Sequence, residues 1–224
     1  MFGLTGFGST VLALPALVLV LPLKFAVPLL LLLDLCASLL FGGDFRRRVE
    51  RPELWRLLPP MLAGMAIGLT LLIRVAESWL LLLLGAFLLA YAGWGLLRRG
   101  PAVLPAASAW PLGFAGGAFA ALFGTGGVLF AVYNAGRIRD KAALRSNNAA
   151  MLLLTSALRI LMLAATGLLG QEALLSMAAL LLPAMLAGTW LGHRLHAAVA
   201  ATAVVKAVYA VLVIAGTLLL VRSS

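Results

Sequence analysis

Charge is what this sequence has least of. Only 11% of its 224 residues are Asp, Glu, Lys or Arg, less than half the share usual in a soluble domain, while 64% are hydrophobic. Such a chain cannot cover itself with a polar surface. Cysteine is nearly absent as well: Cys36 alone excludes an intrachain disulfide, a zinc cluster or a redox pair, and its place in an apolar run makes it a packing residue. The two histidines, His193 and His196, flank Arg194 with no nearby carboxylate or cysteine, so no metal site is expected. A Gly-x-x-x-x-Gly-Lys loop, a His-Glu-x-x-His pair and a Gly-x-Ser-x-Gly elbow are all missing, which argues against ATP-driven pumping, zinc hydrolysis and serine-hydrolase chemistry. Ser9, Thr155 and Ser156 have no histidine within an apolar segment to act as their base, so an intramembrane enzyme is disfavoured and no cofactor is expected. The first residues lack a basic leader and a small-residue cleavage site, so no cleaved signal peptide is expected.

What the sequence does contain is a series of long apolar runs. Spans need roughly 20 apolar residues each, and the sequence offers eight candidates: Gly3 to Leu21, Phe25 to Phe41, Leu57 to Ile73, Trp79 to Leu97, Trp110 to Tyr133, Ala142 to Thr166, Ala173 to Leu191 and Val199 to Val221. The longest polar connection, Gly42 to Arg56, is too short for a soluble domain. The expected class is therefore an all-α polytopic membrane protein whose principal partner is the lipid bilayer. A net charge of +10 would point to nucleic acid in a soluble protein, but these basic residues sit in short loops, where membrane topology accounts for them and no nucleic-acid partner is expected.

The runs fall into two related halves. Gly6-Phe7-Gly8-Ser9-Thr10 near the start is echoed by Gly124-Thr125-Gly126-Gly127, at an offset of 118 that lays Gly6 on Gly124 and Gly8 on Gly126. Later, Pro59-Pro60-Met61-Leu62-Ala63-Gly64 with Gly68 matches Pro183-Ala184-Met185-Leu186-Ala187-Gly188 with Gly192, at an offset of 124. The repeats run from about Met1 to Arg99 and from Gly100 to Ser224. Small residues four apart, as in Gly64 and Gly68, are expected mainly to let helices pack closely. The first repeat is shorter at its beginning: about fourteen residues, Ser108 to Ala121, precede Leu122, but three precede Leu4. Either the start is assigned too late or this copy is clipped.

Charge distribution bears on topology. If all eight segments cross, eight basic loop residues face one side and seven the other, which is no bias. If Trp110 to Tyr133 enters, breaks at Gly124 to Gly127 and returns, then Arg46, Arg47, Arg48, Arg51, Arg56, Arg98, Arg99, Arg137, Arg139, Lys141, Arg145 and Arg194 share a side, against Lys24, Arg74 and Arg222. Twelve against three follows the positive-inside rule, with the basic loops cytoplasmic. Each half then consists of four segments, a glycine-broken helix followed by three crossings, and the second half is inverted relative to the first, a recurring transporter architecture.

Gly124-Thr125-Gly126-Gly127 followed by Tyr133, the basic run through Arg145, Arg159 and the repeated Pro-x-Met-Leu-Ala-Gly-x-x-x-Gly resemble the sulfite exporter TauE/SafE family over nearly the whole chain. The resemblance implies a secondary transporter, in a family associated with export of sulfite, sulfonates and related small organic anions.

The residues themselves agree with that. A helix restarting inside a membrane presents unpaired amide hydrogens and the positive end of its dipole, which favours an anion. Gly6, Gly8, Ser9 and Thr10 at the first break, and Gly124, Thr125, Gly126 and Gly127 at the second, are the candidate binding residues. Ser9 or Thr10 is expected to cap the half-helix running to Leu21, and Thr125 the one running to Tyr133. The competing reading of these glycines is close packing alone. Arg159, inside a span with Thr155 one turn before it, is expected to hold the anion or to pair with Asp34, the only acid deep in a span; Asp34 is also a candidate proton carrier. Asn147 is a candidate ligand residue, Asn148 favours a helix cross-link, and Tyr133 and Asn134 are expected to anchor at the membrane interface. Alternating access around a midplane site is the expected mechanism. A non-transporting scaffold, or a permease for a cation or neutral solute, is the alternative, and both a monomer and an oligomer are compatible with the sequence.

Overall fold

The structure, a computed structural model, describes residues 9–41, 49–97, 103–198 and 201–223. They form nine α-helices: α1 (Ser9–Val18), α2 (Leu23–Phe41), α3 (Arg51–Arg74), α4 (Glu77–Leu97), α5 (Ala109–Phe123), α6 (Gly127–Arg137), α7 (Lys141–Ala165), α8 (Leu174–Ala198) and α9 (Ala201–Ser223). No strand occurs among the described residues. Four helical stretches are both long and apolar enough to cross a bilayer, Arg51–Arg74, Glu77–Gly95, Ala106–Phe123 and Lys141–Ala165. Helices suit this setting because each satisfies its own backbone where no water is present.

Local sequence explains most of the boundaries. Pro22 stops the chain after α1, which ends at Val18 and not at the expected Leu21; the backbone of α2 then starts on a carboxylate from elsewhere, with Leu23 N–H donating to Glu77 Oε1 at 2.8 Å. α3 opens with Pro52 and Glu53 in its first turn and carries Arg74 in its last, the arrangement that complements the helix dipole. Asp140 caps α7 by accepting from the Ala143 amide at 2.9 Å.

The closest packing joins α3 to α5. A Cβ on Gly64 would lie 2.0 Å from the Phe114 carbonyl oxygen, one on Gly68 2.4 Å from that of Ala118, and one on Gly117 2.1 Å from that of Met61. These glycines let two backbones touch, as expected of Gly64 and Gly68. Their counterpart Gly188 in α8 meets no described neighbour within 4 Å. A second close pair is α4 with α9, where Gly85 faces Gly216. The apolar core is centred on α1 and α2, with Leu14, Val18, Leu23, Ala26 and Leu31 fully buried, and Leu122, Phe123 and Val128 from the α5–α6 junction joining it.

Polar contacts collect at opposite ends of α3. In its last turn, the Ile73 carbonyl accepts from Lys24 Nζ at 3.0 Å, and Gln171 Nε2 donates to the Lys24 carbonyl at 3.3 Å; separately, Arg222 Nη1 donates to the Val18 carbonyl at 2.5 Å. At its N-terminus, Glu53 receives hydrogen bonds from Arg56, Tyr133 and Arg137. The residues outside α5 and α6 are tied there too: the Leu104 amide donates to the Gly136 carbonyl at 3.0 Å, and Arg137 Nη1 to the Leu104 carbonyl at 3.4 Å.

Candidate functional site

The glycine-rich stretch breaks the helix where its sequence says it should. α5 ends at Phe123, Gly124 adopts φ 74 and ψ 5, and α6 begins at Gly127. That left-handed conformation is one an L side chain rarely takes. The junction is also tight: a Cβ on Gly126 would stand 1.9 Å from the Gly116 carbonyl oxygen, and one on Gly116 2.5 Å from the Phe130 ring, so α6 starts against the last turns of α5. Close packing and a backbone break thus coincide.

Arg159 faces this break. A Cβ on Gly124 would fall 3.0 Å from Arg159 Nη1, 3.1 Å from Nη2 and 2.8 Å from Thr10 Cγ2, so the arginine of α7, the threonine at the start of α1 and the turn between α5 and α6 converge at one point. Arg159 is only 4% exposed, yet its Nε and Nη2 groups have no hydrogen-bond partner among the described residues. Those two N–H groups point the same way and form the side-on fork with which arginine grips two oxygens of one anion. Thr125, 1% exposed, has its hydroxyl equally without a partner. Buried polar groups are rarely left in that condition, since each costs about 1–3 kcal/mol, more when charged.

Asp34 of α2 is linked to this point through Thr10. Thr10 Oγ1 donates to Asp34 Oδ2 at 2.5 Å, and the Asp34 carboxylate acts electrostatically on the Arg159 guanidinium. Of the remaining expected site residues, Gly6 and Gly8 lie outside the described residues, and of Ser9 only the backbone is described, as the first residue of α1.

Three expectations are corrected. Thr125 does not cap α6, because Gly126 occupies the residue before the helix and no side-chain cap forms, which leaves the Thr125 hydroxyl unused; α6 itself runs on to Arg137 and not to Tyr133. Thr10 spends its hydroxyl on Asp34 instead of on its own helix. Tyr133 and Asn134 are not lipid-facing anchors: both are fully buried, Tyr133 Oη donates to Glu53 Oε2 at 2.5 Å, and Asn134 Nδ2 donates to Asn148 Oδ1 at 2.8 Å.

Asn147 is not brought to Arg159. Twelve residues separate them on α7, about 18 Å along the axis at the usual rise per residue. Its Oδ1 accepts the Glu50 amide at 2.9 Å, while its Nδ2 and Asn134 Oδ1 are buried without partners among the described residues. Thr155 is buried with its hydroxyl returned to the Met151 carbonyl. The Glu53, Tyr133 and Arg137 cluster escaped sequence reasoning; the one signal for it was Tyr133 and Arg137 lying four apart on one helix face.

Comparison with known proteins decides the family. The family model described as Sulfite exporter TauE/SafE matches residues 1–219. This chain belongs to the TauE/SafE sulfite exporter family. It is also 30% identical over 191 residues, 84% of its own length and 80% of the relative's, to the probable inner membrane transporter protein TsaS of Comamonas testosteroni. No solved structure matches it. As a TauE/SafE protein it is a multi-pass membrane transporter and not an enzyme, which sets aside the scaffold and intramembrane-enzyme readings.

Proposed function

We propose that this TauE/SafE protein carries small oxyanions, sulfite or short sulfonates, out across a prokaryotic-type inner membrane, binding them between Arg159 and the helix break at Gly124 to Gly127. The observation that carries this is a buried arginine whose Nη1 and Nη2 approach the glycine turn while its Nε and Nη2 groups have no hydrogen-bond partner among the described residues. An anion with two oxygens on one atom meets the guanidinium, the unused Thr125 hydroxyl and the positive end of the α6 dipole. A cation would leave the Nε and Nη2 groups of the guanidinium without an acceptor.

The inverted-repeat reading places α5 and α6 as a pair that enters and leaves on the same side of the bilayer. It draws support from the hydrogen bond between Leu104 and Gly136 and from Lys24 bonding the Ile73 carbonyl in the last turn of α3, beside Arg74 in sequence. The basic loops then face the cytoplasm. Alternation of access moves the two halves about the break.

The test is exchange of labelled methanesulfonate and of sulfite in proteoliposomes, with choline and a neutral sugar as controls. Arg159→Gln should lower anion exchange at least about tenfold, the effect of losing a charge-assisted hydrogen bond worth 1.5–3 kcal/mol. Arg159→Lys, which keeps the charge but not the fork, should recover only part of it. Unchanged exchange in Arg159→Gln would rule this binding site out.

A further inference from the structure

The site contains one positive and one negative fixed charge. Thr10 ties them to a single place: its hydroxyl holds Asp34 Oδ2 at 2.5 Å, and its methyl group lies beside the same point of Gly124 that Arg159 approaches to 3.0 Å. The Asp34 carboxylate acts on the Arg159 guanidinium across this cluster. Other ionisable groups near α2 are few: Lys24 and Cys36 on the helix itself, and Glu77, which accepts from the Leu23 amide at its start. α1 and the short turn Leu168–Gly170 carry none, α7 adds Lys141 and Arg145 near its start, and α8 carries His193, Arg194 and His196 in its last turns.

Empty, the pair Arg159 and Asp34 sums to zero. An arriving monovalent anion makes the sum −1, with two negative charges around one guanidinium in a medium where an uncompensated charge costs several kcal/mol. The charge is restored if Asp34 takes up one proton, becoming a neutral carboxylic acid that still shares a hydrogen bond with Thr10. Arg159, the anion and protonated Asp34 then sum to zero, as the empty site does.

We propose that Asp34 is the coupling site, binding one proton for each monovalent anion carried, so that transport is electroneutral and a pH difference biases it toward the alkaline side, export from a more alkaline cytoplasm then following the outward gradient of the anion itself. This rests on the anion reading of the Arg159 site. The carrier presents a neutral centre to the membrane both loaded and empty, so both forms reorient without moving net charge. Uptake of the proton accompanies uptake of the anion on one side, and its release accompanies anion release on the other.

Methanesulfonate is the probe, because its charge does not titrate and its neutral acid does not leak through lipid. The first arm measures exchange of labelled methanesulfonate at equal pH on both sides; its absence would overturn the anion reading itself. The second imposes a pH difference with the membrane potential clamped. Wild type should accumulate methanesulfonate on the alkaline side about tenfold for each unit of pH difference, and an imposed potential alone should not drive net uptake. Asp34→Asn should still exchange methanesulfonate at an altered rate, lose the pH-driven accumulation, and acquire net uptake favoured by an inside-positive potential, since its empty form now carries +1. Asp34→Glu, which keeps the titrating group, should retain pH-driven accumulation. Exchange without pH-driven accumulation in wild type, or accumulation that survives in Asp34→Asn, would overturn the coupling role while leaving the binding site standing.

Discussion

At the scale of the residue, Gly124 does two jobs that no other residue can combine. Its φ of 74 lets α5 end abruptly, and its missing Cβ leaves room for Thr10 and Arg159 to reach the same point. An alanine there would carry the left-handed backbone penalty of about 1–2 kcal/mol and press on both side chains. Gly124→Ala should therefore fold less stably and exchange methanesulfonate poorly, whereas Gly170→Ala, at a position where a Cβ meets no described atom within 4 Å, should be close to wild type in both. Equal exchange by the two variants would show that the turn does not shape the site. Arg159 and Asp34 were legible from sequence for a simple reason: a charge inside an apolar run is rare and must be compensated. The true partner of Thr10 was not, because Asp34 lies 24 residues away and only packing of α1 on α2 brings them together.

At the scale of the element, helices pair through glycines where backbones touch and through polar clusters where they end. Gly64→Leu should drive α3 away from α5, since even its Cβ has a carbonyl oxygen 2.0 Å away. Overpacking of this kind costs about 1–3 kcal/mol and should lower the unfolding temperature in detergent, by about 2–4 °C for each kcal/mol in a chain of this size. Gly188→Leu should cost much less, although the sequence repeat makes the two glycines equivalent; a larger loss there than at Gly64 would contradict this packing. The repeat thus marked which residues correspond but not which neighbours they meet. Hydropathy read the helices well because runs of Leu and Ala leave little choice, and missed their ends where a distant group intervenes. Glu53, 80 residues from Tyr133, turned an expected interface anchor into an internal tie between α3 and α6.

At the scale of the whole molecule, three parts of the chain meet at one point: the start of α1, the break between α5 and α6, and α7 at Arg159. The family places this arrangement in a membrane transporter, and the charge of the site selects the ligand class proposed for it. The most direct measurement replaces Thr125 by cysteine in a Cys36→Ala background and follows its reaction with a small hydrophilic thiol reagent in membranes. The account predicts that this buried position reacts when the transporter opens, and that methanesulfonate or sulfite slows the reaction in a concentration-dependent way while choline does not. A cysteine at 125 that never reacts, or that reacts at the same rate with saturating anion in a variant that still transports it, would contradict an anion site at the break.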